Sequence, residues 1–272
     1  MLQNLAEKTS SNYTIITMKQ TQTPTLRFDK VSQVYDLYAM PQHNTGLDLR
    51  KYLPKTATHI LECGVGTGIF TQQIQHLYQN SKITAIDQSP NMIDYCQKQF
   101  SHPDTQYLLA DIDHFQSEHK VDLICSNASF QWSKDLSFTL KNLLQSAAPT
   151  AELVFSLYGP QTLSELQSAL DISHPTKAKI PASSFLNQDQ VQNTLRKLPL
   201  KNIQIDAQHY FIPFKNITAL LTHIKFTGAK PQNTPSFWTK RQFQTLETAF
   251  LKQHGQLFAH YEAFFVRATL AS

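Results

Sequence analysis

Short apolar runs alternate with amphipathic segments between residues 58 and 158. The segment IFTQQIQHLYQ carries its apolar residues at the spacing of a helix that buries one face. Runs typical of buried strands lie at residues 58–65, 82–87, 105–111, 120–128 and 151–159. This alternation predicts an α/β fold, in which a parallel sheet is covered by helices on both faces.

The pattern changes after Gly159. A short helix is predicted next, with Thr162 and Glu165 forming a capping box. Three prolines between residues 171 and 202 predict a broken stretch, and two strands and two helices are predicted beyond it. We expect a flexible leader at 1–27 and one domain at 28–272, with a core at 55–158 and lid or substrate-binding elements at 28–54, 159–202 and 213–258.

Three of the seven glycines, Gly64, Gly66 and Gly68, fall within five residues where a predicted strand gives way to a helix. Average usage would give roughly 19 glycines in a chain of this length, so the cluster is informative. Glycine permits positive φ and lets a ligand approach the backbone without a Cβ in the way. In a doubly wound sheet this turn is a ligand site. The alternative is a tight turn without a ligand.

The residues around this loop favour S-adenosylmethionine over a dinucleotide. The dinucleotide fingerprint requires a glycine where Ile69 stands. A charged Glu62 before the loop would oppose a pyrophosphate, which binds a helix N-terminus. S-adenosylmethionine instead carries an ammonium and a sulfonium. An acidic residue before the loop is compatible with these positive charges and can act by organising the loop. We therefore predict S-adenosylmethionine as the cofactor, with Glu62 and the three glycines among its binding residues.

Two acids follow the next predicted strands. Asp87 ends the second strand, where a carboxylate can accept hydrogen bonds from ribose hydroxyls. Asp111 ends the third strand and is followed by Ile112, which suggests an acceptor for an adenine amino group beside an apolar contact. Met92 is a candidate for the other face of the purine, although a core position is nearly as plausible.

The fourth strand is followed by the segment SNASFQW, residues 126–132. In this fold the segment lies beside the methyl-bearing sulfur, so Asn127 is predicted to contact the cofactor. Phe130 or Trp132 can form a wall of the transfer site, or can equally be core aromatics. The segment lacks the Pro-Pro pair of enzymes that methylate the amino groups of nucleic-acid bases, which disfavours that activity.

Composition narrows the classes of partner. Hydrophobic residues make up 41% of the chain and charged residues 16%, which is typical of a folded globular protein. The three cysteines form no CxxC pair and favour a reducing, cytoplasmic location. No apolar run approaches the roughly 18 residues of a membrane helix. Polybasic clusters are absent as well, so we expect neither a membrane nor a nucleic-acid partner.

Positive charge is concentrated near the C-terminus. Residues 215–272 carry seven Lys and Arg against two Glu, whereas residues 1–214 carry 17 against 18 acids. The simplest interpretation is a solvated basic face. The functional interpretation is a docking surface for an acidic partner, whose attraction would weaken as salt rises.

The glycine loop, Asp87 and the strand end at Asp111 resemble the class I S-adenosylmethionine-dependent methyltransferases over about residues 58–158. Other segments resemble the malonyl-[acyl-carrier-protein] O-methyltransferase family of biotin synthesis, namely FDKVSQVYDLYAMPQ, SNASFQW, FSLYGPQTLSEL and FTGAK. The resemblance implies a doubly wound, mostly parallel seven-stranded sheet with helical lid insertions. It also implies that the enzyme transfers a methyl group to the free carboxylate of malonyl-acyl carrier protein and leaves S-adenosylhomocysteine as the second product. The methyl ester that forms would prime pimeloyl synthesis.

The same resemblance suggests site residues. Tyr35 and Gln42 match the family's Tyr…Ala…Gln pattern, and with Gln131 and Trp132 they are candidates to position the substrate carboxylate. Acyl carrier protein is acidic, so the basic C-terminal segment is a candidate docking surface. The first docking candidates are Lys225, Lys230, Lys240 and Arg241.

A carboxylate nucleophile has a pKa near 4 and is already ionised at pH 7, so the reaction needs neither a general base nor a metal. We therefore predict no catalytic acid or base and no metal site. Two alternatives stay open at this point. One is methylation of another small carboxylate or of a quinone, and the other is a binding or assembly factor that keeps the fold without catalysis.

Overall fold

A computed structural model of the chain describes residues 39–173, 179–227 and 239–271. Seven strands form a single sheet in this part of the chain. The strands are β1 (His59–Cys63), β2 (Lys82–Asp87), β3 (Thr105–Leu109), β4 (Val121–Ser126), β5 (Ala147–Tyr158), β6 (Leu200–Pro213) and β7 (Phe258–Leu270). Their order is β3-β2-β1-β4-β5-β7-β6. Strands β1 to β5 pair in parallel and β7 runs antiparallel to both β5 and β6, which confirms the predicted architecture.

Helices connect and cover these strands. Their bounds are α1 (Met40–Leu49), α2 (Ile69–Leu77), α3 (Pro90–Gln99), α4 (Leu136–Leu144), α5 (Ser164–Ser173), α6 (Gln188–Leu195), α7 (Ile217–Phe226) and α8 (Lys240–His254). The helices α2, α3 and α4 follow β1, β2 and β4, which is the crossover pattern expected for a parallel sheet.

The central strands of the sheet are buried on both faces, and the sequence of β1 shows why. Successive side chains of a strand point to opposite faces. Ile60 joins one hydrophobic cluster together with Phe70 and Ile83. The next residue, Leu61, joins the other cluster together with Ile124. A nearly continuous apolar run is therefore needed, as in parallel sheets generally.

Local capping fixes the helix starts near the site. The Ser89 hydroxyl accepts a hydrogen bond from the Met92 backbone at 3.3 Å, with Pro90 as the first helical residue. The Asp135 carboxylate caps α4 by accepting from the backbone of Ser137 at 2.9 Å. These starts anchor α3 and α4 at the carboxyl ends of the strands that precede them.

Three details differ from the sequence predictions. Helix α5 begins at Ser164, so the predicted capping box is wrong: the Thr162 hydroxyl bonds the Glu262 backbone across to β7, and Glu165 contacts His260. The stretch predicted to be broken contains α6, which has its own capping box. Helix α1 was not predicted. At Thr162 a tertiary contact outweighs the local capping pattern, whereas α6 follows a local capping box that the prolines obscured.

The cysteines Cys63, Cys96 and Cys125 are all buried and free. Within the described ranges, no helix has the length and apolar character needed to cross a membrane.

Candidate active site

A large cavity lies at the carboxyl ends of β1, β2 and β4, where the order of the strands reverses between β1 and β4. We call it the main cavity; its volume is about 290 Å³. Ligands bind at this edge in doubly wound sheets because the strand order reverses there. Predicted site residues that line it are Gln42, Gly64, Gly66, Asp87, Met92, Asp111, Ile112, Asn127 and Trp132.

The glycine loop forms one wall of the main cavity with its backbone. The Gly64 and Val65 amides both donate to the carbonyl of Ile86 on β2, at 2.8 and 3.0 Å. Gly64 has φ of +75°, and a Cβ there would overlap the Ser129 side chain. Gly66 has φ of +54° with open space where a Cβ would stand. The loop therefore presents uncovered backbone to a ligand.

Asp87 joins this loop to the end of β2. Its Oδ2 accepts from the Gly66 amide at 2.9 Å, and its Oδ1 accepts from the Ser89 amide at 2.8 Å. The carboxylate is only partly buried and lines the main cavity. A carboxylate oxygen can accept more than one hydrogen bond, so these contacts to the backbone are compatible with a ligand hydroxyl at the same group.

The purine end of the predicted site is also assembled. Met92 is buried on α3 and Ile112 is partly buried after β3, and both line the main cavity. Asp111 is exposed, and its Oδ1 accepts from the Asp113 amide at 3.0 Å. Met92, Ile112 and Asp111 therefore lie together, as an apolar slot with a carboxylate at its rim.

Asn127 connects the end of β4 to α1. Its Oδ1 accepts from the Ser156 hydroxyl at 2.7 Å, and its Nδ2 donates to the Gln42 carbonyl at 2.8 Å. The Ser156 oxygen in turn accepts from the Ala128 amide at 2.9 Å. This chain of hydrogen bonds holds α1 against the main cavity.

Glu62 and Gly68 were predicted to bind the cofactor, but they lie behind the loop and outside the cavity lining. Gly68 instead faces Cys96 and Phe100 of the core. Glu62 is 1% exposed, and burial, with a smaller contribution from the Asp87 charge, raises its pKa to about 8. The carboxyl is mostly protonated at pH 7, so the expectation that its charge disfavours a pyrophosphate loses its basis.

A smaller cavity opens beside the main one, and we call it the side chamber. Its volume is about 30 Å³, and Gln42, Ala128 and Trp132 line both spaces. The other lining residues are Gln131, Tyr158, Thr162, Ala182, Phe185, Thr227 and Tyr261. The side chamber therefore combines side chains from both ends of the chain.

Two amides predicted to position substrate meet the side chamber. Gln131 donates from Nε2 to the Ala128 carbonyl at 2.7 Å. Neither its Oε1 nor that of Gln42 has a hydrogen-bond partner within the described residues, although both atoms are buried. Trp132 packs edge-on against Phe185 with ring centroids 5.3 Å apart. Buried amide groups with unused hydrogen-bonding capacity are typical of ligand sites.

Sequence reasoning missed the tyrosines of the side chamber. Tyr158 ends β5 as Asp87 ends β2, so the same strand-end argument could have selected it. Tyr261 lies inside the antiparallel strand β7, where no local pattern separates it from a core aromatic. Its hydroxyl lies 2.8 Å from Nε2 of His223 on α7.

The remaining predicted residues lie elsewhere. Lys225 is near the end of α7, and its ammonium sits 5.4 Å from the centre of the Phe226 ring. Lys240 and Arg241 are exposed at the start of α8. Tyr35 and Lys230 lie outside the described residues.

The sheet order, the glycine loop and the acids at the strand ends define a class I S-adenosylmethionine-dependent methyltransferase. A family model described as a methyltransferase domain matches residues 60–150. The solved N-methyltransferase NodS from Bradyrhizobium japonicum, in complex with S-adenosylhomocysteine, has the same fold. It superposes with a TM-score of 0.53 at 14% identity, covering 92% of this chain and 100% of that one.

Curated relatives narrow the class. The malonyl-[acyl-carrier protein] O-methyltransferase of Priestia megaterium is 31% identical over 80% of this chain and 84% of its own length. The enzyme of the same name from Acetivibrio thermocellus is 29% identical over 89% of this chain and 91% of its own length. The chain belongs to the malonyl-[acyl-carrier protein] O-methyltransferase family, which confirms the resemblance found in the sequence.

Proposed function

We propose that the protein transfers a methyl group from S-adenosylmethionine to the free carboxylate of malonyl-acyl carrier protein, giving the methyl ester that primes pimeloyl synthesis for biotin. The observation that carries this proposal is the side chamber. It continues from the main cavity, has room for a carboxylate, and its described lining contains no Lys or Arg. The identity of the acceptor is inferred from the family, because its curated members are named for malonyl-acyl carrier protein.

The main cavity fits S-adenosylmethionine. The open backbone at Gly66 would hold the amino-acid portion, and Asp87 would accept from the ribose hydroxyls. Met92 and Ile112 would contact the adenine ring, with Asp111 accepting from its amino group. Asn127 would hold α1 over the ligand. When bound, S-adenosylmethionine supplies a methyl group activated by its sulfonium.

The protein's part in the reaction is then to position the acceptor and exclude water. A carboxylate with a pKa near 4 is ionised at pH 7, so the chain need not supply a general base, and the chemistry requires no metal. Gln42, Gln131 and Trp132 would hold and enclose the carboxylate at the junction of the two cavities. Proximity and alignment can contribute up to about 7–11 kcal/mol to such a reaction.

The carrier would dock on the basic C-terminal segment. Lys225, Lys240 and Arg241 belong to α7 and α8, and Thr227 at the end of α7 lines the side chamber. An acidic carrier held there could deliver its malonyl group to the chamber, and its association would weaken with salt. We place the reaction in the cytoplasm, where free cysteines such as Cys63 stay reduced.

The test is methyl transfer from radiolabelled S-adenosylmethionine to four acceptors in parallel: malonyl-carrier protein, malonyl-coenzyme A, aconitate and a quinone precursor. We expect base-labile label on malonyl-carrier protein, with a KM for the carrier that rises with salt. Label on aconitate or the quinone precursor alone would contradict the proposal. Binding of S-adenosylhomocysteine with no transfer to any acceptor would favour the assembly-factor alternative.

A further inference from the structure

The far wall of the side chamber contains Tyr261, a residue of β7 that no sequence motif selects. Its side chain is 2% exposed, and its ring lies 5.3 Å from that of Tyr158. Burial raises the pKa of the Tyr261 phenol well above its usual range. The phenol therefore keeps its proton across the working pH range and is available as a hydrogen-bond donor.

A hydrogen bond joins that phenol to His223. It is 4% exposed on α7, and its Nε2 lies 2.8 Å from the Tyr261 hydroxyl. Burial lowers the pKa of His223 to about 4, so the ring is neutral at pH 7. We assign the proton of the neutral imidazole to Nε2, so that His223 donates to the phenol oxygen and the phenol proton can turn toward the side chamber.

The size and lining of the side chamber suit a carboxylate. A buried water needs roughly 10–15 Å³, so a volume of about 30 Å³ has room for two oxygen atoms. The described lining offers hydroxyl and amide groups but no ammonium or guanidinium. Neutral donors can orient a carboxylate without the tight ion pair that would stabilise it in the ground state and slow its attack.

We propose that Tyr261, oriented by His223, positions the methyl-accepting carboxylate by donating a hydrogen bond to it inside the side chamber. This inference rests on the proposed function, because it takes the malonyl carboxylate as the occupant. His223 acts through Tyr261 and is a positioning residue.

The first test is Tyr261→Phe, which keeps the buried ring and removes only the hydroxyl. We expect the KM for malonyl-carrier protein to rise about 10- to 100-fold, as for loss of a hydrogen bond to a charged group. Calorimetry with S-adenosylhomocysteine present should show the same loss in affinity for malonyl-carrier protein. Affinity for S-adenosylhomocysteine alone should change less than about twofold, since Tyr261 does not line the main cavity.

The second test asks whether His223 acts through Tyr261. We expect His223→Leu to raise the KM for the carrier about 3- to 10-fold, and the double variant to be no worse than Tyr261→Phe alone. The matched control is Tyr78→Phe, whose hydroxyl donates to the Pro54 carbonyl at 2.6 Å near the amino ends of the strands. This control should leave both ligand affinities unchanged.

The outcomes separate the two proposals. A wild-type enzyme that methylates malonyl-carrier protein, together with a folded Tyr261→Phe variant of unchanged KM and carrier affinity, overturns the role of Tyr261 and leaves the function standing. Additive losses in the double variant overturn the role of His223. A wild-type enzyme that methylates another acceptor overturns the function and this inference with it. Thermal melting of every variant verifies that it is folded.

Discussion

The main cavity and the side chamber touch, yet they are assembled from different kinds of parts. Most of the main cavity comes from residues 64–134, as backbone and side chains that follow the strand ends in order. The side chamber draws single side chains from Gln42 to Tyr261, across α1, β5 and β7. The first is a product of local chain geometry, and the second exists only when distant elements pack.

This difference predicts that substitutions in the two cavities affect different ligands, the cofactor and the methyl acceptor. The wall of the main cavity includes glycine-loop backbone whose shape depends on φ, so it tolerates little change. The side chamber is lined by side chains from separate elements of the chain. Variants in the first region should therefore remove cofactor binding, whereas variants in the second should spare the cofactor and weaken the acceptor.

The largest effect should come from Gly64→Ala. A residue with a Cβ is strained at φ of +75°, and the added methyl group would overlap Ser129. We expect affinity for S-adenosylhomocysteine, measured by calorimetry, to fall more than about 100-fold, as two such penalties combine. Gly255→Ala is the matched control, because Gly255 has φ of +76° with open space around it. It should cost about 1 kcal/mol of stability and no affinity. Equal affinities for both variants would contradict the role of the loop.

A smaller loss is expected for Asp87→Ala. The change removes the acceptor of the Gly66 and Ser89 amides and of the ribose hydroxyls, so the Kd for S-adenosylhomocysteine should rise about 10- to 100-fold. The control is Asp122→Ala. Asp122 also accepts from two backbone amides, those of Thr58 and His59, but at the amino ends of the strands. That variant should lose stability and keep its affinity, and the reverse pattern would contradict the assignment.

The last effect should appear in the pH dependence of stability and not in ligand affinity. The pKa of Glu62 is raised to about 8 in the folded state, against 4.5 in an unfolded chain. Folding therefore favours the protonated form: this contribution is fully present below pH 4.5 and is lost as pH rises to about 8. We expect the free energy of unfolding to fall by up to a few kcal/mol over that range.

Glu62→Gln keeps the shape of the side chain and cannot ionise, so it serves as the comparison. Both proteins would be unfolded with urea at about pH 5.5, 7 and 8.5, on either side of the pKa of Glu62. The free energy of unfolding should fall more steeply with pH for the wild type than for the variant. Parallel pH profiles would mean that Glu62 titrates in its ordinary range. They would then support the ionised carboxylate that the sequence analysis assumed.

Much of the fold, and the residues that line the main cavity, could be predicted because the signals are local. The apolar runs and the glycine cluster located the strands and the loop, and the strand ends placed Asp87 and Asp111 at one edge of the sheet. The predictions failed where a residue bonds outside its own segment. Thr162 looked like a helix cap, but its hydroxyl is taken by the Glu262 backbone on a strand about 100 residues away.

By itself the sequence determined the order of the parallel strands, the position of the glycine loop and the family of the chain. Those properties depend on near neighbours, whose periodicity and turn chemistry are written in consecutive residues. Only the tertiary structure decided that Glu62 is buried and mostly neutral, and that Tyr261 meets Gln131 at one chamber. Burial and convergence depend on which distant surfaces exclude water together, and no short stretch of sequence encodes that.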